Sequence, residues 1–183
     1  RDDKDEHITY NEPEGIIGFV KEMNANKEAI HEPVYLHGES DGIDIEIAFQ
    51  YINEFQENIL GFCNCIYNAE GGTHITGFKT QYTQVMNTYA RELGILKDKD
   101  DNFTGADIRN GITAVISIKH PDPRFEGQTK TKLDNPDAAK VVTKITQEQL
   151  TLYFDRNLNT LKAILSCAEK AAKIRKTEEK PKP

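Results

Sequence analysis

The sequence predicts an α+β fold: a mostly four-stranded sheet packed by one long helix, followed by a C-terminal helical arm. Three observations carry this. VYLHGESDGIDIEIAFQY, residues 34–51, alternates apolar and polar residues about an Asp-Gly pair. Residues 70–94 repeat apolar side chains at steps of three and four. From Pro136 onward the apolar residues fall into helical stripes, with no strand pattern after residue 119.

Taken in order, residues 1–13 are a charged lead-in expected to be partly ordered, and residues 14–135 form the core. Ile16, Ile17, Phe19, Val20 and Met23 predict a short helix over residues 14–24. Asp41-Gly42 supplies the positive φ values of a two-residue hairpin turn. After it, Ile43, Ile45, Ile47, Phe49 and Tyr51 face one side, and Asp44, Glu46, Ala48 and Gln50 the other, predicting one buried and one wet face. ENILGFCNCIYN is apolar enough for a central strand, with Cys63 and Cys65 on one face of it. The long helix carries Ile75, Phe78, Tyr82, Val85, Met86, Tyr89 and Leu93, with Thr73 as its cap and Gly94 at its end. A short helix capped at Thr104 precedes the β-branched strand GITAVISIK, which Pro121 and Pro123 terminate. Residues 136–176 form the helical arm, in three stripes with a capping box at Thr146/Gln149, and residues 177–183 a frayed tail.

Composition narrows the function. Of 183 residues 37% are hydrophobic and 29% charged, and no apolar run approaches the roughly 20 residues of a membrane span, so a soluble, globular protein is expected. The N-terminus is charged where a signal peptide needs an apolar core, and it begins with Arg, as a piece of a longer protein would. A net charge of −7 opposes a generally basic nucleic-acid binder. The stretch 119–144 nevertheless holds six Lys/Arg against four Asp/Glu. Three cysteines fit a reducing compartment, and no further ligands stand near Cys63 and Cys65 at zinc spacing, so no metal site is expected.

No nucleophile elbow, zinc-protease helix, CxxC or P-loop motif occurs. The five histidines, His7, His31, His37, His74 and His120, have no neighbouring nucleophile and read as structural or solvated. Gly71-Gly72 before the long helix fits either a phosphate cradle or a backbone bend. The polar interest lies in FEGQTKTKL, residues 125–133. Gln128 and Lys130, two apart in an extended segment, point to the same side. They are either an exposed turn or an amide fork and ammonium that grip a terminal phosphate supplied by another domain.

YNAEGGTHITGFKT, TGADIRNGITAVISIKHPDPRFEGQTKTKL, VYLHGESDGIDIEIAFQY and ENILGFCNCI occur in this chain. Together they resemble the transducer domain of the bacterial DNA gyrase B family over residues 15–135, with a weaker continuation to about 175. The corresponding component of topoisomerase IV is similar. The resemblance implies a left-handed βαβ crossover, an exception to the usual hand. It implies an ATP site, with Mg2+, in a preceding ATPase domain of the same polypeptide. To that site this region contributes a QTK loop, here 128–130. Lys130 then contacts the γ-phosphate and Gln128 holds the loop to the nucleotide site. Implied partners are that ATPase domain, the gyrase A protein, double-stranded DNA and a second copy of gyrase B, with no membrane. The fragment alone is expected to be inactive. Lys79 and Arg91, on the polar side of the long helix, are the candidates for facing DNA. Departures from the family pattern are Gln84 in place of arginine, Asp134 in place of glycine, and AEKAAKIRK where an alanine- and arginine-rich run is usual. The rival readings are a non-enzymatic nucleic-acid-binding module on the same fold and the transducer of a mismatch-repair clamp.

Overall fold

The computed structural model describes residues 15–128 and 130–179. The lead-in (1–13) with Glu14, Thr129 and the end of the tail (180–183) lie outside the described residues. One mixed sheet of five strands organises the rest: β1 (Val34–Ser40), β2 (Ile43–Tyr51), β3 (Glu57–Cys63), β4 (Ile66–Asn68) and β5 (Ile112–Lys119), in the order β1-β2-β5-β3-β4. β5 runs antiparallel to β2 and parallel to β3, with Val115 facing Ala48 on one side and Leu60 on the other. Its β-branched sequence is buried from Ile112 to Ile118, as a strand covered on both faces requires.

The fifth strand arises where the sequence suggests a single one. Asn64 and Cys65 take positive φ, 50° and 69°, and fold residues 57–68 into a hairpin. Asn is among the non-glycine residues that best tolerate this region, but no glycine marks the turn in the sequence. Cys63 is therefore buried and Cys65 exposed, rather than sharing a strand face. Burial pushes the Cys63 thiol up to about 11. β3 sits second from the edge, not at the centre, and the three-residue β4 covers it. The Asp41-Gly42 turn forms as expected, with φ of 57° and 77°.

Helix α1 (Gly15–Met23) covers half of one sheet face, where Ile16 and Val20 meet Ala48, Phe62 and Val115. β2 is thus wet on that face only at Asp44 and Glu46; Ala48 and Gln50 are buried. A polar chain closes this layer: Thr113 Oγ1 donates to Asn24, Asn24 Nδ2 to Gln50, and Gln50 Nε2 to the His31 carbonyl.

The opposite face carries α2 (Thr73–Glu92) and α4 (Pro136–Arg156) side by side, α2 against β3 and β5, α4 against β1 and β2. Gly77 permits their close approach, since a Cβ there would lie 2.9 Å from the Ala139 carbonyl oxygen. Gln81 and Gln147 bond across the pair, and the Tyr89 hydroxyl donates to Asp155 at 2.8 Å. α4 is one continuous helix, so Thr146 is not a cap: its hydroxyl is buried mid-helix without a partner. No Gly or Pro follows Pro136 within the helix to break it. Thr73 does not cap α2 either. Gly72 does so through its carbonyl, which accepts from Ile75 and Thr76, and the Thr73 hydroxyl is buried unpaired. Gly94, with φ of 79°, follows the C-cap Leu93.

α3 (Gly105–Arg109) has the expected cap in full: Asp107 N–H donates to Thr104 Oγ1 and Thr104 N–H to Asp107 Oδ2. α5 (Leu158–Glu179) begins after Asn157 and runs three residues past Lys176, into the segment expected to fray. Leu161, Ile164, Leu165, Ala168 and Ala172 are buried in the same apolar cluster as the sheet. Arg175 clasps Asp107 of α3, Nη2 to Oδ2 at 2.9 Å and Nε to Oδ1 at 3.1 Å.

Candidate functional site: a lysine loop on a rigid base

Pro121 and Pro123 end the central strand, and the chain leaves the sheet as a loop over residues 120–135. Its base is a knot of side-chain to backbone bonds. His120 N–H donates to Asn64 Oδ1, and Asn64 Nδ2 returns to the His120 carbonyl. Asp122 N–H donates to His120 Nδ1, which leaves the proton on Nε2 to bond Asp137 Oδ1 at 2.9 Å. That bond is the main reason the Asp137 carboxyl lies below its usual range. Buried Asn135 accepts from Arg124 N–H and donates to the Asp122 carbonyl.

Above the base the two legs pair. Phe125 and Leu133 form an antiparallel bridge, flanked by Glu126 N–H to Lys132 O and Asp134 N–H to Arg124 O. The returning leg then lies along residues 70–73: Glu70 N–H donates to Thr131 O, Leu133 N–H to Gly71 O, and Thr73 N–H to Leu133 O. This resolves the glycine pair. Gly72 has φ of 146°, and a Cβ on it would stand 2.5 Å from the Leu133 oxygen. Only glycine fits. The Thr73 amide that a phosphate would need is spent on Leu133, so the pair is a rail for the loop, not an anion cradle.

The tip projects beyond these anchors. Gln128 and Lys130 are exposed. Lys130 has φ of 62°, so the tip is not extended there, and strict alternation does not set which way its side chain points. Among the described residues Lys130 makes no ion pair, whereas Lys132 lies 3.6 Å from Glu126. The arrangement is a cationic tip on a fixed base. It suits contact with one anionic group brought from outside. Among the described residues no group of three or more His, Cys, Asp or Glu could hold a metal ion, and no helix is long and apolar enough to cross a membrane.

The structure does not bring Lys79 and Arg91 to this loop. Arg91 lies eighteen residues along α2 from Thr73, roughly 27 Å at 1.5 Å per residue. Its guanidinium binds Asn102 Oδ1 and the carbonyls of Lys97 and Asp100, clamping the connection to α3. Lys79 is 3.5 Å from Glu57, which Arg109 also holds at 2.8 Å. What sequence reasoning missed is Asn68 and His74, both buried: Asn68 reaches the Lys130 carbonyl from below, and His74 bonds Asn68. The available signal was their place on either side of the glycine rail.

The fold and loop define a class: an α+β domain that carries an exposed lysine on a loop anchored to its sheet and to α2. The family model for DNA gyrase B matches residues 15–183, and the chain belongs to that family. It is 50% identical over 174 residues to the DNA gyrase B protein of Haloferax volcanii, covering 94% of this chain and 27% of that protein. Against the Streptococcus pneumoniae gyrase B protein it is 45% identical over 167 residues, 91% of this chain and 26% of the relative. The chain therefore spans about a quarter of the length of these relatives. The crystal structure of the 43K ATPase domain of Thermus thermophilus gyrase B in complex with an aminocoumarin superposes with a TM-score of 0.84 at 32% identity, covering 90% of this chain and 44% of that one. The topoisomerase IV ATP-binding domain of Francisella tularensis gives 0.75 at 25% identity, covering 92% and 45%.

Proposed function

We propose that this chain is the transducer, the second domain of a DNA gyrase B protein, and that its loop tip senses the γ-phosphate of ATP bound in a preceding domain. The observation that carries this is Lys130: an exposed ammonium, with no ion pair among the described residues, on a loop whose legs are fixed to the sheet and to α2. A solvated turn lysine needs no such base. The residues present fit one phosphate contact rather than a metal-nucleotide site, because the described residues offer no carboxylate cluster for Mg2+.

When bound, the triphosphate supplies the terminal anion. Lys130 bonds it through its ammonium, and Gln128 holds the loop against the nucleotide domain. A ligand shifts a conformational equilibrium only by its differential affinity for the two states. One charge-assisted bond contributes about 1.5–3 kcal/mol, a bias of roughly 10- to 150-fold. That tilts this domain against the ATPase domain, and dimerisation of gyrase B supplies the remainder. The legs pass the tilt to the knot at His120 and so to the start of α4 at Asp137. Through α4 and α5 it reaches the DNA gate formed with the gyrase A protein, and one duplex passes through another. Lys79 and Arg91 face that duplex in this reading, on an α2 surface where each is already partly neutralised or tied. The parent is a cytoplasmic, nucleoid-associated isomerase using ATP and Mg2+. The isolated fragment neither binds nor hydrolyses ATP. The corresponding component of topoisomerase IV is the second reading, favoured by the 0.75 TM-score superposition.

In the full-length gyrase B protein, Lys130→Ala is expected to abolish ATP-dependent supercoiling and lower ATP turnover about 10- to 150-fold while the fold survives. Wild-type supercoiling by that variant would remove Lys130 from the mechanism.

A further inference from the structure

Beneath the loop tip runs a buried polar chain. His74 is 0% and Asn68 2% exposed. Asn68 Nδ2 donates to the Lys130 carbonyl at 3.1 Å, and Asn68 Oδ1 lies 3.0 Å from His74 Nε2. The directions are forced. A carbonyl oxygen accepts, so the Asn68 amide nitrogen faces Lys130 and its oxygen faces the histidine, whose Nε2 must carry the proton. His74 Nδ1 is then bare, and it is buried without a partner. Burial depresses the His74 pKa to about 4, consistent with a neutral ring. Gly61 makes room for it, since a Cβ there would lie 2.7 Å from Nε2.

The other loop anchors hold the legs, at Thr131, Leu133 and the Arg124–Asp134 pair. The Asn68 bond holds the residue that carries the ammonium. That residue sits at φ of 62°, a region few non-glycine residues adopt. A held carbonyl fixes the peptide plane, and the peptide plane sets the direction in which the Lys130 side chain leaves the loop.

We propose that Asn68 and His74 are positioning residues for Lys130, with His74 orienting the Asn68 amide and Asn68 fixing the tip backbone so that the ammonium is pre-aimed at the anion. This rests on the reading of Lys130 as the phosphate sensor. Neither residue touches the nucleotide. Without the chain the legs stay docked and the tip samples other backbone states, so fewer molecules present the ammonium when the triphosphate arrives.

The test uses the full-length gyrase B protein reconstituted with gyrase A, in wild-type form and as Asn68→Asp, Asn68→Ser, His74→Gln, His74→Leu and Lys130→Ala. Thermal melts first establish which variants fold. Amide hydrogen exchange across residues 126–132 and steady-state ATP turnover are then read together. Asn68→Asp and Asn68→Ser are expected to speed exchange at the tip about 5- to 10-fold and lower kcat by a similar factor, the size of one lost hydrogen bond. KM should stay within about twofold, because nearly all nucleotide contacts lie in the other domain. His74→Gln, whose amide can place an N–H where Nε2 stands, should restore both readouts, and His74→Leu should not. Folded Asn68 variants with wild-type tip exchange and kcat, beside an inactive Lys130→Ala, would overturn the positioning role and leave the sensor reading standing. Equal damage in His74→Gln and His74→Leu would remove His74 from the chain. Full activity of Lys130→Ala would overturn the sensor reading and the positioning role with it.

Discussion

The clasp between α5 and α3 should be asymmetric when broken. Asp107 is 3% exposed and accepts from Arg175 and from Thr104 N–H. Arg175 keeps 29% of its side chain in water. In Arg175→Met the carboxylate stays buried without its guanidinium, so it must protonate or draw in water. That costs about 3 kcal/mol, the low end for an orphaned buried charge. In Asp107→Asn the guanidinium turns its open side to solvent and the amide oxygen still accepts from Thr104. The loss is then about 1–2 kcal/mol, discounted because one partner is solvent-screened. At 2–4 °C per kcal/mol for a chain of this size, the melts should fall by roughly 6–12 °C and 2–8 °C.

The pH dependence adds a second check. Burial is the largest influence on Asp107 and pushes its pKa up, but the bonds from Arg175 and Thr104 together bring it below the usual value. A depressed carboxyl stabilises the fold above the unfolded value of about 3.9 and loses that contribution as pH falls through the folded value. Urea denaturation of wild type and Asp107→Asn at pH 7 and pH 3 measures this. The gap should be full at pH 7 and shrink in acid, where a protonated Asp107 resembles the asparagine. A melt of Arg175→Met no lower than that of Asp107→Asn, or a gap unchanged at pH 3, would refute the asymmetry.

Other consequences follow from the same packing. His74 is buried neutral with its pKa at about 4, so the unfolded chain binds a proton at higher pH than the folded one. Stability should fall as pH drops from about 6.5 to about 4, by up to about 3 kcal/mol, and His74→Gln should flatten that slope in urea titrations. Gly77→Ala forces a methyl to 2.9 Å from the Ala139 carbonyl. It should destabilise by about 1–3 kcal/mol in thermal melts, since a backbone carbonyl cannot move aside as a flexible side chain can.

Local signals placed most elements, because they are written in neighbouring residues. The Asp41-Gly42 turn, the Thr104 cap, the stripe of α2 and the stop at Pro121 each form where the pattern puts them. Two capping motifs misled. Thr73 and Thr146 have the right residue type, but a cap needs an extended backbone, and a glycine carbonyl and an unbroken helix decide otherwise. The Asn64-Cys65 turn was hidden, having neither glycine nor proline.

By itself the sequence determined the α+β class, the glycine rail as a special backbone site, and the lysine loop as the place of interest. These depend on residue type and short spacing. Only the tertiary structure decided that the rail docks the loop rather than binding an anion, that Arg91 is engaged by its own connection, and that Asn68 and His74 stand under Lys130. The rail and the Asn68 bond join residues about sixty positions apart, and in each case the direction and partner of a hydrogen bond are fixed by packing, not by the order of residues along the chain.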